Sequence, residues 1–191
     1  LLPEYINSNK DSLTIKEILS HTARLKAWVP FYLKTLDSVT HKPLSKYYNK
    51  EESSVFSIKV AHNLYLRTDY KDSIYENIRT LDQREKYGYK YSGLAFYVFK
   101  KYMEANFNTG MDSLLTQYFY KPLGAETLRY NPLSVYDEER IVPSEVDTYY
   151  RHQTLKGTVH DMGAAMQGGI GGHAGLFSNA NDVAKIMQMY L

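Results

Sequence analysis

The feature that most restricts the fold is the run Gly168-Gly169-Ile170-Gly171-Gly172-His173-Ala174-Gly175, with five glycines in eight residues. Such density demands tight turns or backbone packed directly against another element, because a side chain would clash there or resist the required angles. The spacing is not that of a dinucleotide fingerprint followed by an acidic residue. A helix is predicted to follow from Asn179, with Asp182 in its first turn, where a carboxylate favours the helix dipole. Val183, Ile186, Met187 and Tyr190 would form its apolar face.

Upstream, Thr14 to Thr22 reads as a short helix. Thr14 and Glu17 have capping-box spacing, and Ile15, Ile18 and Leu19 form the expected buried stripe. Trp28 to Asn77 is weakly patterned, and Pro30, Pro43 and the polar cluster Asn49 to Ser54 point to loops. Val55 to Leu66 has mixed periodicity. Asp72 to Leu81 is predicted helical through Ile74, Ile78 and Leu81. A helix is expected over Gly93 to Ala105 with Ser92 as N-cap, and another over Gly110 to Tyr120 ending at Pro122 and Gly124. Tyr130 to Lys156 reads as a long irregular crossing. A short helix is expected near Asp161.

The apolar share of 43% and charged share of 23% describe a globular chain of 191 residues, large enough for one core. The net charge of +2 is dispersed, which argues against a nucleic-acid partner. No apolar run approaches the length of a membrane span. Without cysteine there are no disulfides and no indication of redox compartment. The 19 tyrosines admit two readings: ligand stacking, or packing at half-buried positions.

Three constellations could carry chemistry. Tyr91-Ser92 stands at a predicted helix start. A tyrosine beside a lysine can serve as general base or acid, and a neighbouring serine can relay a proton; alternatively the pair is a capped helix behind an aromatic stretch. His173 could be a base, a ligand or a turn histidine bonded to backbone. His160-Asp161 are sequence neighbours that rarely face each other, so Asp161 reads as a helix cap. There is no G-x-S-x-G elbow, no H-E-x-x-H helix and no P-loop.

The order of several short segments is more specific than any one of them. Leu13-Thr14-Ile15-Lys16-Glu17-Ile18-Leu19-Ser20-His21-Thr22 with Leu25 resembles the "I-x-x-L-L-T-H-T-S-G-L" segment of β-lactamase-like serine hydrolases. Tyr91-Ser92-Gly93 stands at the place of their Tyr-Ser-Asn helix start. Pro122-Leu123-Gly124 with Thr127 is similar to their "P-L-G-M-x-x-T" turn. Gly172 to Ser178, with Asn181-Asp182-Val183-Ala184, resembles "G-x-G-L-x-S-T-A-x-D-L-A". The stretch Gly157-Thr158-Val159-His160-Asp161 through Phe177 looks closest to a branch of exported esterase or β-lactamase-like proteins. That branch also occurs fused behind glycoside hydrolase family 3 β-N-acetylglucosaminidases.

The resemblance implies hydrolysis of amide or ester bonds through an acyl-enzyme. A serine in S-x-x-K would be the nucleophile, and Tyr91, assisted by Ser92, would move protons. Substrates would be β-lactams, peptidoglycan-derived peptides or acyl esters, with no cofactor and no metal, in an exported or periplasmic protein. No serine in the sequence has lysine three residues on. The nucleophile segment is therefore expected upstream and the third-motif strand downstream. Residues 1–191 would be a single incomplete domain, inactive alone, mainly α with few short strands. An apolar helix face left bare in such a piece would favour a non-native dimer. His173-Ala174-Gly175 spells a third motif, but its flanks match the earlier segment. Two departures stand out: Gly93 replaces Asn or Asp, and Ala23-Arg24 replaces Ser-Gly, so that turn is expected to differ in shape. The alternative is a non-catalytic binding or scaffold module attached to a glycoside hydrolase.

Overall fold

The computed structural model describes residues 2–191. The helices are α1 (Ile15–Leu19), α2 (Tyr70–Thr80), α3 (Leu94–Phe107), α4 (Met111–Leu115), α5 (Met162–Ala165) and α6 (Ala180–Met189). The strands are β1 (Tyr48–Asn49), β2 (Ile58–Ala61), β3 (Leu64–Leu66), β4 (Pro143–Asp147) and β5 (Gln153–Lys156). One antiparallel sheet has the order β1-β3-β2, and β4 and β5 form a second.

With 36% helix and 12% strand in two small sheets, the chain is mixed α/β, which corrects the expectation of a mainly α piece. The strands escaped notice for physical reasons. They are two to five residues long, too short to establish alternation. Four of the five β4 residues are exposed, so burial writes no pattern there. The supposed irregular crossing from Tyr130 contains this hairpin, with register Val146 to Thr154 and Asp147 to Gln153. In the unassigned stretch, β2 and β3 reverse at His62-Asn63, where Asn63 takes a left-handed φ of 47°, an angle asparagine tolerates.

Helix termini follow local chemistry more faithfully. Thr14 and Glu17 form the reciprocal capping box of α1. Asn179 caps α6 by accepting from the Asp182 N–H, and Asp161 caps α5 by accepting from the Ala164 N–H. Ser92, by contrast, does not cap α3: Gly93 holds that position and no side chain bonds there. Lys10 is buried, and its ammonium donates to the carbonyls of Arg79 and Leu81, satisfying groups that the end of α2 leaves free.

Two predicted apolar stripes are not buried. Ile15 and Leu19 on α1 are exposed, as are Val183 and Met187 on α6 and Tyr190 at its C-terminal end. Short α1 buries little because the chain enters and leaves it within two turns; Ile18 alone of its stripe packs against Ala23, Leu25 and Ala95.

The main core joins α2, α3, the first sheet and the hairpin through Ile74, Ile78, Leu94, Val60, Leu66 and Tyr150. Eight tyrosines are buried, five of them in this core. Tyr150 is fully buried, and a hydroxyl chain runs from Thr35 through Tyr48 to Tyr150 at 2.7 and 2.8 Å. These phenols are satisfied internally, as burial requires. Much of the tyrosine excess is therefore structural.

One buried ion pair organises the hairpin turn. Asp147 accepts from the Tyr149, Tyr150 and Arg151 N–H groups and from Arg151 Nε at 2.7 Å. Arg151 also donates to the carbonyls of Val159 and His160. It thereby fixes the chain just before Asp161.

Candidate active site

The segments singled out in the sequence meet in pairs. Residues 90–93 are stitched to residues 21–27: the Lys90 N–H donates to His21 O and the Gly93 N–H to Ala27 O, each at 3.0 Å. Between them the Ser92 N–H approaches His21 Nδ1 at 3.4 Å, and the Ser92 hydroxyl donates to Lys26 O at 2.7 Å. Ser92 is 2% exposed. Its hydroxyl is thus committed to backbone, while Tyr91 beside it is 52% exposed. The Tyr91 ring rests on His21 with centroids 4.7 Å apart.

The turn carrying His21 holds its shape at a cost. His21 and Arg24 have φ of 56° and 55°, left-handed angles that cost a residue with a Cβ about 1–2 kcal/mol. Arg24, which stands where the family's motif has glycine, adopts a left-handed conformation that suits glycine. Its side chain is held on the turn: Nη2 donates to Gln83 Oε1 at 3.0 Å, and the guanidinium lies 4.5 Å from the Tyr87 ring centroid.

The glycine run lies against the same helix. A Cβ on Gly172 would stand 2.3 Å from Phe96 O in the first turn of α3. Gly175 combines a φ of 119° with only 2.2 Å between its would-be Cβ and Gly169 O. Close approach is therefore what the glycines provide.

This packing places His173 on α3. Its ring stacks on Tyr97, with centroids 4.6 Å apart and planes at 18°, and its Nε2 lies 2.9 Å from Asp161 Oδ1. Burial opposes ionisation of Asp161, but the bonds from His173 and the Ala164 N–H outweigh it, and the carboxyl sits below the usual aspartate value. A carboxylate only accepts, so His173 carries its proton on Nε2; Nδ1 is buried without a protein partner. Burial, reinforced by Asp161, pushes the Tyr97 phenol up, so it stays neutral. The histidine therefore bonds a carboxylate, not backbone. The pairing was hidden because its members lie 12 residues apart, and only the alignment of two turns unites them.

The fourth segment closes the remaining pair. Asp182 Oδ2 accepts from Thr127 N and Oγ1 at 2.7 and 2.6 Å. Lys185 donates to Asp182 and to the Gly124 carbonyl. Its bonds to Lys185 and Thr127 hold the Asp182 carboxyl down at about 2.

The family described as Beta-lactamase matches residues 1–191. The chain belongs to the β-lactamase family. That family belongs to a β-lactamase-like serine hydrolase superfamily. Among its relatives is the N-acetylmuramyl-L-alanine amidase of Bacillus subtilis (strain 168), 27% identical over 201 residues, covering 99% of this chain and 40% of the amidase. A putative D-alanyl-D-alanine carboxypeptidase of Escherichia coli (strain K12) is 36% identical over 93 residues, covering 42% of this chain and 21% of that protein. The corresponding Salmonella agona (strain SL483) protein matches to the same extent, with 22% of its length covered. No solved structure matches significantly.

Seen in this β-lactamase-family chain, Tyr91 is the sequence-predicted site residue with a side chain open to solvent, and Ser92 is the one turned inward. No group of three His, Cys, Asp or Glu that could hold a metal occurs among the described residues. Nor is any helix among them long and apolar enough to cross a membrane.

Proposed function

We propose that the chain is part of a serine hydrolase that cleaves amide or ester bonds through an acyl-enzyme, with Tyr91 as general base or acid. The supporting observation is the contrast at positions 91 and 92. The backbone on both sides of Tyr91 is bonded to residues 21–27, and the phenol is left half exposed. A group that moves a proton needs a fixed frame and an accessible oxygen. Ser92 supplies the frame through Lys26, so in this reading it positions Tyr91 and does not relay the proton.

The nucleophile would come from an S-x-x-K outside these 191 residues, because none lies within them; the chain alone would not turn over substrate. The relatives' names, N-acetylmuramyl-L-alanine amidase and D-alanyl-D-alanine carboxypeptidase, favour peptidoglycan-derived substrates over acyl esters. They also favour an exported protein. Labelling of the longer parent protein with a fluorescent penicillin or a fluorophosphonate tests the proposal. A covalent adduct lost in Tyr91→Phe is expected. No adduct in a parent with intact S-x-x-K refutes it.

A second reading, a non-catalytic module, draws support from Gly93. No side chain stands there to contact substrate, although a Cβ would meet nothing closer than Ala27 O at 3.9 Å. Parent sequence without S-x-x-K would favour it.

A further inference from the structure

Eight tyrosines are buried, but those at 87, 89 and 91 are not. They are 77%, 72% and 52% exposed, and all three rings lean on the single turn 21–24. Tyr87 lies over the Arg24 guanidinium, while Tyr89 and Tyr91 flank His21 at 5.9 and 4.7 Å. Tyr87 is backed by the guanidinium, Tyr89 meets His21 edge to face, Tyr91 lies tilted on it, and each residue is at least half exposed. We infer that Tyr87 and Tyr89 form a stacking platform for an amino-sugar glycan, which leads the substrate to Tyr91. The inference rests on the hydrolase reading for the role of Tyr91, and on the geometry for the platform itself.

Three observations favour a glycan. First, residues 82–92 contain aromatic and polar residues but no aliphatic one. A face inserted into lipid would carry Leu, Phe or Trp, and none stands in this stretch. Tyrosine offers a flat apolar face for the C–H side of a pyranose and a hydroxyl for its polar edge. Second, Lys26, Lys86 and Lys90 are exposed in the two segments that carry the rings and their supporting turn, where they outnumber the exposed Asp82 and Glu85. They suit a sugar bearing carboxylated peptide stems. Third, Arg24 holds a left-handed angle and so keeps its guanidinium behind Tyr87. Glycine would fit that turn more easily, but it could not prop the ring.

The test is a calorimetric titration of the protein with two probes: chitotetraose, an uncharged amino-sugar, and an N-acetylglucosaminyl-N-acetylmuramyl tetrapeptide. Both are expected to bind. Tyr87→Ala and Tyr89→Ala should each weaken binding about tenfold. Tyr89→Phe should keep affinity within about twofold, because it retains the ring. Tyr118→Ala, an exposed tyrosine outside the platform, should change nothing. Failure of both probes to bind, or affinity indifferent to Tyr87→Ala and Tyr89→Ala, overturns the inference. So does a sugar-free tetrapeptide that binds as tightly as the muropeptide. Covalent labelling of the parent separates the two proposals. Labelling without glycan binding removes the platform and leaves the hydrolase, whereas glycan binding without labelling does the reverse.

Discussion

Gly172→Ala should destabilise the chain by forcing the glycine loop off α3. The methyl would stand 2.3 Å from Phe96 O and 3.0 Å from its carbonyl carbon. That is about 1 Å inside ordinary contact, and the obstacle is helix backbone, which cannot rotate away. Overpacking of this kind costs about 2 kcal/mol, and for a chain of this length the melting temperature should fall by about 4–8 °C. The His173–Asp161 bond and the Tyr97 stack would be displaced with the loop. Gly93→Ala is the control. Position 93 has ordinary helical angles and its nearest obstacle is at 3.9 Å, so stability should stay within about 1 kcal/mol of the parent. Thermal denaturation followed by circular dichroism compares the three proteins. If Gly172→Ala melts with Gly93→Ala or above it, the loop is not seated on the helix as argued.

Four further outcomes are expected. Asp147→Ala strips a fully buried arginine of its partner and should cost about 3–5 kcal/mol, measurable by urea unfolding; a loss below about 1 kcal/mol would contradict the role given to the Asp147–Arg151 pair. Ser92→Ala removes a buried bond to Lys26 and should cost about 1 kcal/mol, while acylation of the longer parent protein persists; abolished acylation with unchanged stability would restore Ser92 as a relay. The folded-state value of Asp182 is depressed, so its contribution is present above pH 3.8 and disappears as pH falls toward about 2. Asp182→Asn should flatten that part of the stability–pH profile, and an unchanged profile would count against the Thr127 and Lys185 bonds. Finally, Val183 and Met187 on α6 and Tyr190 at its C-terminal end leave an apolar face exposed, so light scattering should report concentration-dependent dimers, reduced by Val183→Glu. A strict monomer at all concentrations would show that the face is innocuous.

Three helix starts are legible in the sequence and the strands are not. Thr14, Asp161 and Asn179 cap through bonds to residues three positions on, a chemistry contained within one turn. The β2–β3 and β4–β5 hairpins meet in the core, where Val60 and Leu66 of one join Tyr150 of the other, and no local pattern announces that. Ser92 illustrates the same limit at the site. Its place at a helix start is visible in sequence, but the decisive acceptor, Lys26 O, lies 66 residues away. The His173–Asp161 pair is intermediate. Both residues stood out, but their partnership required the glycine loop to fold back on α3. The tyrosines divide between core and surface by tertiary context, so their abundance alone could not distinguish packing from binding.

The turn at Arg24 has an evolutionary reading. A residue that strains its own backbone persists only if selection acts on something besides folding free energy. Arg24→Gly would relax the turn and release Gln83 and Tyr87 together, so stability and surface preorganisation should move in opposite directions. That makes position 24 a point of local frustration. Drift or laboratory selection for thermostability alone should drive it toward glycine, and selection that retains ligand should keep the arginine. The identity of one residue in sequences selected either way would then report whether the aromatic surface above it is in use.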